Sequence, residues 1–313
     1  MGRKVIVIVA PTASGKTKLC IELARRLNGE IISADSRQFY KHINIGTAKP
    51  TAEETGTVKH HLIDFLELED YFNASMFEKE AIKIINNIYE NGKQPIVTGG
   101  SGLYIRALVD GIFDEGEINF EIRQKLMDER EKHGNEFMYS KLMKLDPEVA
   151  GKMLPQNWKR VIRALEVKLT TGESILTLQK KHERKLDFDF IQFGLRWERE
   201  KLYRRIEERV DFMFEAGLVD EVKELFDKGL DDSINSLNTV GYKEIFSYFH
   251  GEITLERAKE LIKRNTRRYA KRQFTWFNKD ERIEWFDIHN EEDFSNIINE
   301  IVNRIRREDE RKN

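Results

Sequence analysis

The chain has 313 residues, of which 40% are hydrophobic and 35% are charged, and its formal net charge is −2. This balance excludes a global basic field, so any nucleic-acid surface must be a local patch. Because Cys20 is the single cysteine, a disulfide framework and a cysteine metal site are also excluded. Strand-forming sequence begins by Lys4 and no apolar run approaches membrane-spanning length. We therefore expect a soluble, cytoplasmic protein without a signal peptide and without membrane contact.

The first predicted elements are a buried strand over 5–9, a loop, and a helix with apolar residues at helical spacing from Leu19. The loop and the start of the helix consist of Ala10, Pro11, Thr12, Ala13, Ser14, Gly15, Lys16 and Thr17. Their backbone N–H groups predict a cradle for phosphate oxygens, to which Lys16 adds a charge and Thr17 a hydroxyl for Mg²⁺. Ala10 replaces the usual first glycine, so we expect a negative φ there. An ordinary strand-to-helix turn is the alternative.

Two later strands are predicted to end at the same sheet edge as this loop. The strand over 30–34 leads into Asp35, and the strand over 94–98 leads into a glycine-rich loop that contains Ser101. Asp35 is therefore a candidate active-site carboxylate, although a turn or helix-capping role is equally compatible with its spacing. The strand over 94–98 lacks the terminal acidic residue with which motor-type NTPases hold Mg²⁺, which disfavours ATP hydrolysis.

From about 111 to 187 the pattern changes to charged helical segments, over 119–133, 135–145, 157–171 and 174–181. A strand pattern returns at 188–195, so the helical block predicts an insertion that acts as a lid or secondary domain. Within it, Lys159, Arg160 and Arg163 lie on one and a half helical turns. They could contact a nucleic-acid backbone, or they could simply form a solvated face.

Two C-terminal helices carry further candidate cations. The helix over 200–216 places Arg205 and Arg209 beside its apolar stripe, where they could contact the phosphate site or pair with Glu208 or Asp211. A long helix over 255–278 holds eight basic residues between Arg257 and Arg272. This basic stripe predicts contact with a polyanion larger than one nucleotide.

Eight short motifs follow one another along nearly the whole chain. They are Pro11–Thr17, Asp35–Gln38, Gly46–Pro50, His60–Asp64, Gly99–Tyr104, Arg160–Val167, Val240–Lys243 and Tyr269–Phe277. In this order they resemble the tRNA dimethylallyltransferases, also called isopentenyl-tRNA transferases. The resemblance implies an α/β fold with a P-loop NTPase-like parallel sheet flanked by helices. The implied domains are a catalytic core over 1–110 and 188–313 and an all-helical lid over 111–187 that grips the anticodon arm.

The resemblance also implies the reaction, in which the dimethylallyl group of dimethylallyl diphosphate is transferred to N6 of adenosine 37, the nucleotide 3′ of the tRNA anticodon. Asp35 would be the base that accepts the N6 proton, a role that typically contributes ~10²–10⁴-fold. Ser101 would be the family's hydroxyl residue, more often threonine. The loop 10–17, Arg205 and Arg209 would bind the diphosphate, with Mg²⁺ on Thr17.

The implied tRNA contacts come from the core and from the insertion of a protein expected to be monomeric. They are Asp35, Ser36, Arg37, Gln38, Ser101, Arg123, Lys159, Arg160, Val161, Ile162, Arg163, Gly241, Tyr242 and Lys243. Three other readings stay open at this point: an adenylate-kinase-like nucleotide kinase, an AMP dimethylallyltransferase, and a non-catalytic RNA-binding module that would tolerate loss of Asp35.

Overall fold

The computed structural model describes residues 3–112, 119–181 and 184–310. They form two compact units, of which the first joins the residues up to Val109 with those from Leu186 onward. The second unit spans Asp110–Lys185. Residues 113–118 and 182–183 of the predicted insertion lie outside the described ranges.

The first unit is built on a parallel sheet of six strands in the order β3-β2-β4-β1-β5-β6. The strands are β1 (Arg3–Val9), β2 (Gly29–Ser33), β3 (His60–His61), β4 (Gln94–Gly99), β5 (Phe188–Trp197) and β6 (Ile283–Ile288). The helices of this unit are α1 (Lys16–Leu27), α2 (Ala52–Thr57), α3 (Ala74–Glu90), α4 (Gly102–Asp110), α9 (Arg199–Glu215), α10 (Leu218–Asp227), α11 (Tyr242–Phe249), α12 (Leu255–Phe277) and α13 (Asp293–Glu310). The predicted α/β fold with a parallel sheet flanked by helices is therefore confirmed.

Strand β1 lies at the centre of this unit because it is apolar on both faces. Val5, Val7 and Val9 point into one hydrophobic core, which includes residues of α3, α10 and α11. Ile6 and Ile8 alternate with them and point into a second core, which includes residues of α1 and α13. This period of two fixes β1 between two helical layers, and it leaves the loop after Val9 at the carboxyl edge of the sheet.

The segment 41–72 contains more regular structure than its sequence predicted. Helix α2 begins with a capping box in which Thr51 and Glu54 satisfy each other's backbone N–H groups. Strand β3 is only two residues long and pairs with β2 at Ile31 and Ile32. Both elements are too short to produce a readable period, which explains why the sequence pattern missed them.

The second unit consists of the helices α5 (Phe120–Leu145), α6 (Pro147–Ala150), α7 (Trp158–Thr171) and α8 (Ile175–Lys181). Helix α5 is interrupted at Gly134, whose φ of 82° and ψ of 177° are not helical. The sequence predicted a break between two helices at this position. The unit has its own core, to which Leu126, Met138 and Leu165 contribute. No helix within the described ranges is both long and apolar enough to cross a membrane.

A backbone contact between β2 and β4 generates a stability prediction. A Cβ atom at Gly99 would lie 2.2 Å from the carbonyl oxygen of Ala34, which is backbone and cannot move aside. We expect Gly99→Ala to lower the free energy of unfolding by about 1–3 kcal/mol or more. The measurement is equilibrium denaturation followed by circular dichroism.

Gly56→Ala is the matched control, since Gly56 lies in helix α2 with no atom within 4 Å of an added Cβ. We expect it to leave stability unchanged or slightly raised. Equal stability of the two variants would contradict the close approach of Ala34.

Candidate active site

The phosphate loop runs from Ala10, after β1, to Gly15, which precedes α1. Gly15 has a φ of 86°, Ala13 has a φ of 62°, and Ala10 is not among the residues with positive φ, as predicted. Because glycine has no side chain, Gly15 cannot cap the N–H groups of the first turn of α1. The loop therefore presents backbone donors at the positive end of a helix dipole, which is an anion-binding arrangement.

Two further contacts fix the loop from the side of β5 and α13. The indole N–H of Trp197 donates to the carbonyl of Ser14 at 2.9 Å. A Cβ atom at Gly15 would lie 2.6 Å from the ring of Phe294, so that only glycine fits there. Packing against Trp197 and Phe294 thus fixes the shape of the loop. The sequence did not indicate that either aromatic residue contacts it.

Lys16 is the cation at the base of the loop. Its Nζ donates to the carbonyl of Pro11 at 3.3 Å. Desolvation by burial lowers the pKa of Lys16 to about 8, the Asp35 carboxylate opposes this shift, and the Arg209 guanidinium adds to it. An ammonium that is this poorly solvated gains strongly from a bound anion.

Arg205 and Arg209 both reach the loop from α9, but in different ways. Arg205 donates to the carbonyl of Ala13 at 3.1 Å and to the carboxylate of Glu291 at 3.0 Å. Arg209 donates to the hydroxyl of Thr12 at 3.3 Å, and burial lowers its pKa, although it remains a cation. The alternative pairing with Glu208 or Asp211 is not found in the described ranges, where Arg205 pairs with Glu291, and Asp211 pairs with Lys259 and Lys263.

Asp35 and Ser101 meet where β2 and β4 end. The Ser101 hydroxyl accepts from the backbone N–H of Ser36 at 3.0 Å, and the Asp35 carboxylate accepts from the backbone N–H of Arg37 at 3.0 Å. The Tyr269 hydroxyl bonds to Ser101, and burial raises the pKa of this tyrosine. The two predicted catalytic groups thus bond to neighbouring backbone N–H groups, Ser101 to that of Ser36 and Asp35 to that of Arg37, and Asp35 lines the two cavities described next whereas Ser101 does not.

Two cavities adjoin at Asp35, one of about 320 Å³ and one of about 70 Å³. Lys16 and Thr17 line the smaller cavity, whereas Lys243 and Tyr269 line the larger one. Four residues line both cavities, and they are Thr12, Asp35, Thr47 and Arg209. A carboxylate therefore stands between an anion-binding pocket and a larger pocket with room for a second substrate.

The other predicted tRNA contacts of the core have varied surroundings. Arg37 donates to the carbonyl of Asn235 at 2.7 Å, and Gln38 donates to the carbonyls of Thr47 and Ala48. Ser36, Gly241 and Lys243 line the larger cavity. The side chain of Tyr242 is fully buried and donates to Glu221, and its contact with tRNA stays a prediction.

Within the second unit, the predicted contacts divide by exposure. Lys159 and Arg160 have exposed side chains. Arg123 and Arg163 both donate to the buried carboxylate of Glu166 at 3.0 Å. The side chains of Val161 (0% exposed) and Ile162 (1%) pack in the core of this unit, and their contact with tRNA stays a prediction.

The basic stripe on α12 is only partly available to a ligand. Its first half is neutralised by acidic residues, in the pairs Arg257 with Glu260, Lys259 and Lys263 with Asp211, and Arg267 with Glu207. In the second half, Arg268, Lys271 and Arg272 are exposed, and the described ranges contain no acidic partner for them. Arg264 in the first half also lacks an acidic partner in these ranges, since its Nε donates to Asn265. The part of the predicted basic stripe without an ion pair therefore consists of Arg264 and these three residues.

The geometry defines a class of protein: an α/β protein with a phosphate-binding loop, an adjacent carboxylate and a second substrate pocket. A family model described as IPP transferase matches residues 38–280. A tRNA dimethylallyltransferase of Alkaliphilus metalliredigens is 45% identical over 306 residues, with 97% of this chain and 98% of that protein covered. One of Acetivibrio thermocellus is 48% identical over 285 residues, which cover 90% and 91% of the two chains.

Solved structures of proteins with the same kind of name also match this chain. A full-length tRNA isopentenylpyrophosphate transferase of Bacillus halodurans matches with a TM-score of 0.72 and 40% identity, and 99% of each chain is covered. A eukaryotic dimethylallyltransferase described as acting on tRNA matches with a TM-score of 0.78 and 32% identity, over 91% of this chain and 74% of that one. The chain belongs to the IPP transferase family.

The different surroundings of the two arginines generate a prediction on anion binding. We expect Arg209→Ala to weaken the binding of inorganic diphosphate about 10- to 100-fold, because a half-buried cation beside the loop is lost. Arg205→Ala should have a smaller effect, since Arg205 is already paired with Glu291. Isothermal titration calorimetry measures both values, and an equal or larger loss in Arg205→Ala would contradict this assignment.

Proposed function

We propose that this protein transfers the dimethylallyl group of dimethylallyl diphosphate to N6 of adenosine 37 in tRNA and releases diphosphate. The observation that carries the proposal is that Asp35 and Arg209 line both adjoining cavities. A donor with a diphosphate fits the smaller cavity by charge, and an adenine fits the larger one beside the carboxylate. Membership of the IPP transferase family supports both assignments.

On the donor side, the step breaks the bond between C1 of the dimethylallyl group and the bridging oxygen. The electron pair of that bond leaves with the diphosphate, so negative charge develops in the smaller cavity. Lys16 and Arg209 line this cavity, and together with the uncapped N–H groups at the start of α1 they stabilise the charge as it forms. Because the loop is held by Trp197 and Phe294, its donors need little reorganisation.

On the acceptor side, the N6 lone pair of adenine forms the new bond to C1. This amine is a poor nucleophile because its lone pair is delocalised into the ring, so a base is required. Asp35 accepts the N6 proton as the C–N bond forms. The hydroxyl of Ser101 holds the backbone of Ser36 next to this carboxylate and lies within reach of Tyr269.

Mg²⁺ is part of the proposal, and the residues present fit it. Thr17 lines the smaller cavity on the first turn of α1, and a single hydroxyl together with diphosphate oxygens and water is a donor set that Mg²⁺ accepts. The described residues contain no cluster of three acidic, histidine or cysteine side chains that would form a separate metal centre. When bound, the ion would neutralise charge on the diphosphate oxygens.

For tRNA, we propose contacts from exposed cations of both units in a monomeric protein. These are Arg268, Lys271 and Arg272 on α12, and Lys159 and Arg160 on α7. Arg123 and Arg163 are held by Glu166 with their guanidinium groups fixed in direction. The second unit is proposed to grip the anticodon arm, and the target base must be flipped out of its stack at a cost of a few kcal/mol.

The direct test is incubation with dimethylallyl diphosphate and unmodified tRNA, followed by mass analysis of the tRNA nucleosides. We expect a gain of one dimethylallyl group on adenosine 37 and release of diphosphate. Parallel reactions with AMP as acceptor decide between tRNA and a free nucleotide. Transfer to AMP as fast as to tRNA, or no transfer to either, would overturn the proposal.

The proposed base generates a prediction for Asp35→Asn. This isosteric change retains an oxygen acceptor for the backbone of Arg37 but removes the proton acceptor. We expect kcat to fall about 10²- to 10⁴-fold, and tRNA and diphosphate affinities to stay within a few-fold of wild type. Single-turnover kinetics measures the step, and undiminished turnover would rule out Asp35 as the base.

Some basic residues of α12 are paired with acidic residues and others are not, and this difference generates a prediction on the salt dependence of tRNA binding. The double variant Arg268→Gln/Lys271→Gln should weaken tRNA binding at low salt and reduce the slope of log affinity against log salt by about 0.7–0.9 per lost contact. Lys259→Gln is the matched control, because Lys259 shares Asp211 with Lys263. Fluorescence anisotropy with labelled tRNA measures the slopes, and equal slopes for all three proteins would contradict the assignment.

A further inference from the structure

Gln273 is a buried polar residue near the C-terminal end of the basic helix α12. Its side chain is 5% exposed. Its Oε1 accepts from the backbone N–H of Thr12 at 2.9 Å, and its Nε2 donates to the carbonyl of Gly100 at 2.9 Å. Both ends of the amide are therefore used in one bridge between two loops that are far apart in sequence.

The two loops have different roles in the proposed reaction, one beside the leaving group and the other beside the base. Thr12 belongs to the phosphate loop, and its hydroxyl accepts from Arg209 at 3.3 Å. Gly100 directly precedes Ser101, whose hydroxyl holds the backbone next to Asp35. The amide of Gln273 thus connects the loop that would hold the leaving group to the loop beside the base.

The bridge is closely packed and occupies the active site itself. A Cβ atom at Gly100 would lie 2.0 Å from Nε2 of Gln273, so glycine at 100 is what admits the amide. Gln273 lines the smaller cavity, and Tyr269, one helical turn earlier, lines the larger one. Helix α12 therefore reaches both cavities on the face that carries the glutamine.

We propose that Gln273 is a positioning residue that sets the separation between the phosphate loop and the cluster of Ser101 and Asp35. This inference rests on the proposed function. Attack on C1 requires the amine and the departing oxygen in line, and a displacement of about 1 Å can cost about 10²-fold in rate. The role predicts that loss of the bridge lowers turnover more than it lowers the affinity for either substrate.

The main variant is Gln273→Met, which conserves volume and removes both hydrogen bonds. We expect kcat for tRNA prenylation to fall about 10- to 100-fold. The dissociation constants for inorganic diphosphate and for tRNA should stay within about 3-fold of wild type, as expected when positioning and not binding is lost. Gln273→Asn keeps the amide but shortens the side chain, so it should lose turnover to a similar extent.

The matched control is Gln192→Met, since Gln192 is also a buried glutamine, 4% exposed, on β5. Its side chain bonds to Asp280, and it lines neither of the two cavities described above. We expect Gln192→Met to lose stability but to retain the wild-type kcat. A fall in kcat as large as that of Gln273→Met would mean that a general loss of stability explains both, and it would overturn the proposal.

Hydrogen–deuterium exchange provides a readout that does not depend on activity. In Gln273→Met we expect faster exchange at both ends of the bridge, in the segments 10–17 and 99–104, and unchanged exchange in α3. Unchanged exchange in both segments, or a kcat within 3-fold of wild type, would overturn the proposal. Failure of the wild-type protein to prenylate tRNA would count against the proposed function, and the exchange result would still decide whether the bridge holds the loops.

Discussion

Strands β1, β2 and β4 pair in parallel and end at one edge of the sheet, with Val9 beside Gly99 and Ser33 beside Thr98. Parallel strands send their following loops to the same side, so the phosphate loop, Asp35 and Ser101 must meet there. The contact of Gly99 with the Ala34 carbonyl shows how closely the strand ends approach. All proposed chemistry in this molecule depends on that register, because a shift of one residue would reverse the faces to which the side chains point.

The electrostatics of the site follow from this arrangement. Lys16 and Arg209 are half-buried with Asp35 as their nearby carboxylate, and desolvation lowers the pKa of both cations. Burial of cations is unfavourable unless a ligand or a partner compensates for it. The smaller cavity is therefore matched to an anion. The larger cavity is lined mainly by polar and charged residues, among them the cations Arg37, Lys243 and Arg272, and by a smaller apolar set.

Much of the fold could be predicted from the sequence, because β1, β4 and the amphipathic helices have clear periods. The meeting of Asp35 and Ser101 could also be predicted, since both follow strands of a parallel sheet. Gln273 could not be assigned a role in this way, because nothing in a basic helical pattern reveals that one polar side chain turns inward. Its two partners lie more than 170 residues away in sequence.

Three of the predicted tRNA contacts show what a motif does not reveal. Val161, Ile162 and Tyr242 were included because they belong to motifs, and their side chains are buried in the cores that hold the motifs in shape. A motif records which residues occur together, and it does not separate those that touch a ligand from those that support them. Likewise, the sequence shows the charges of α12 but not that Asp211 and Glu207 neutralise part of them.

The two halves of α12 have different surroundings, and this affects what a substitution does in each half. Arg267 pairs with Glu207 of α9, so replacing either alone leaves a charge without its counterpart, whereas Lys259 and Lys263 share Asp211 of the same helix. Toward the end of the helix, Arg268 and Lys271 face solvent and are not tied to such partners within the described ranges. A substitution in the first half therefore also changes the surroundings of α9, whereas a substitution at Arg268 or Lys271 changes the charge of the exposed surface alone.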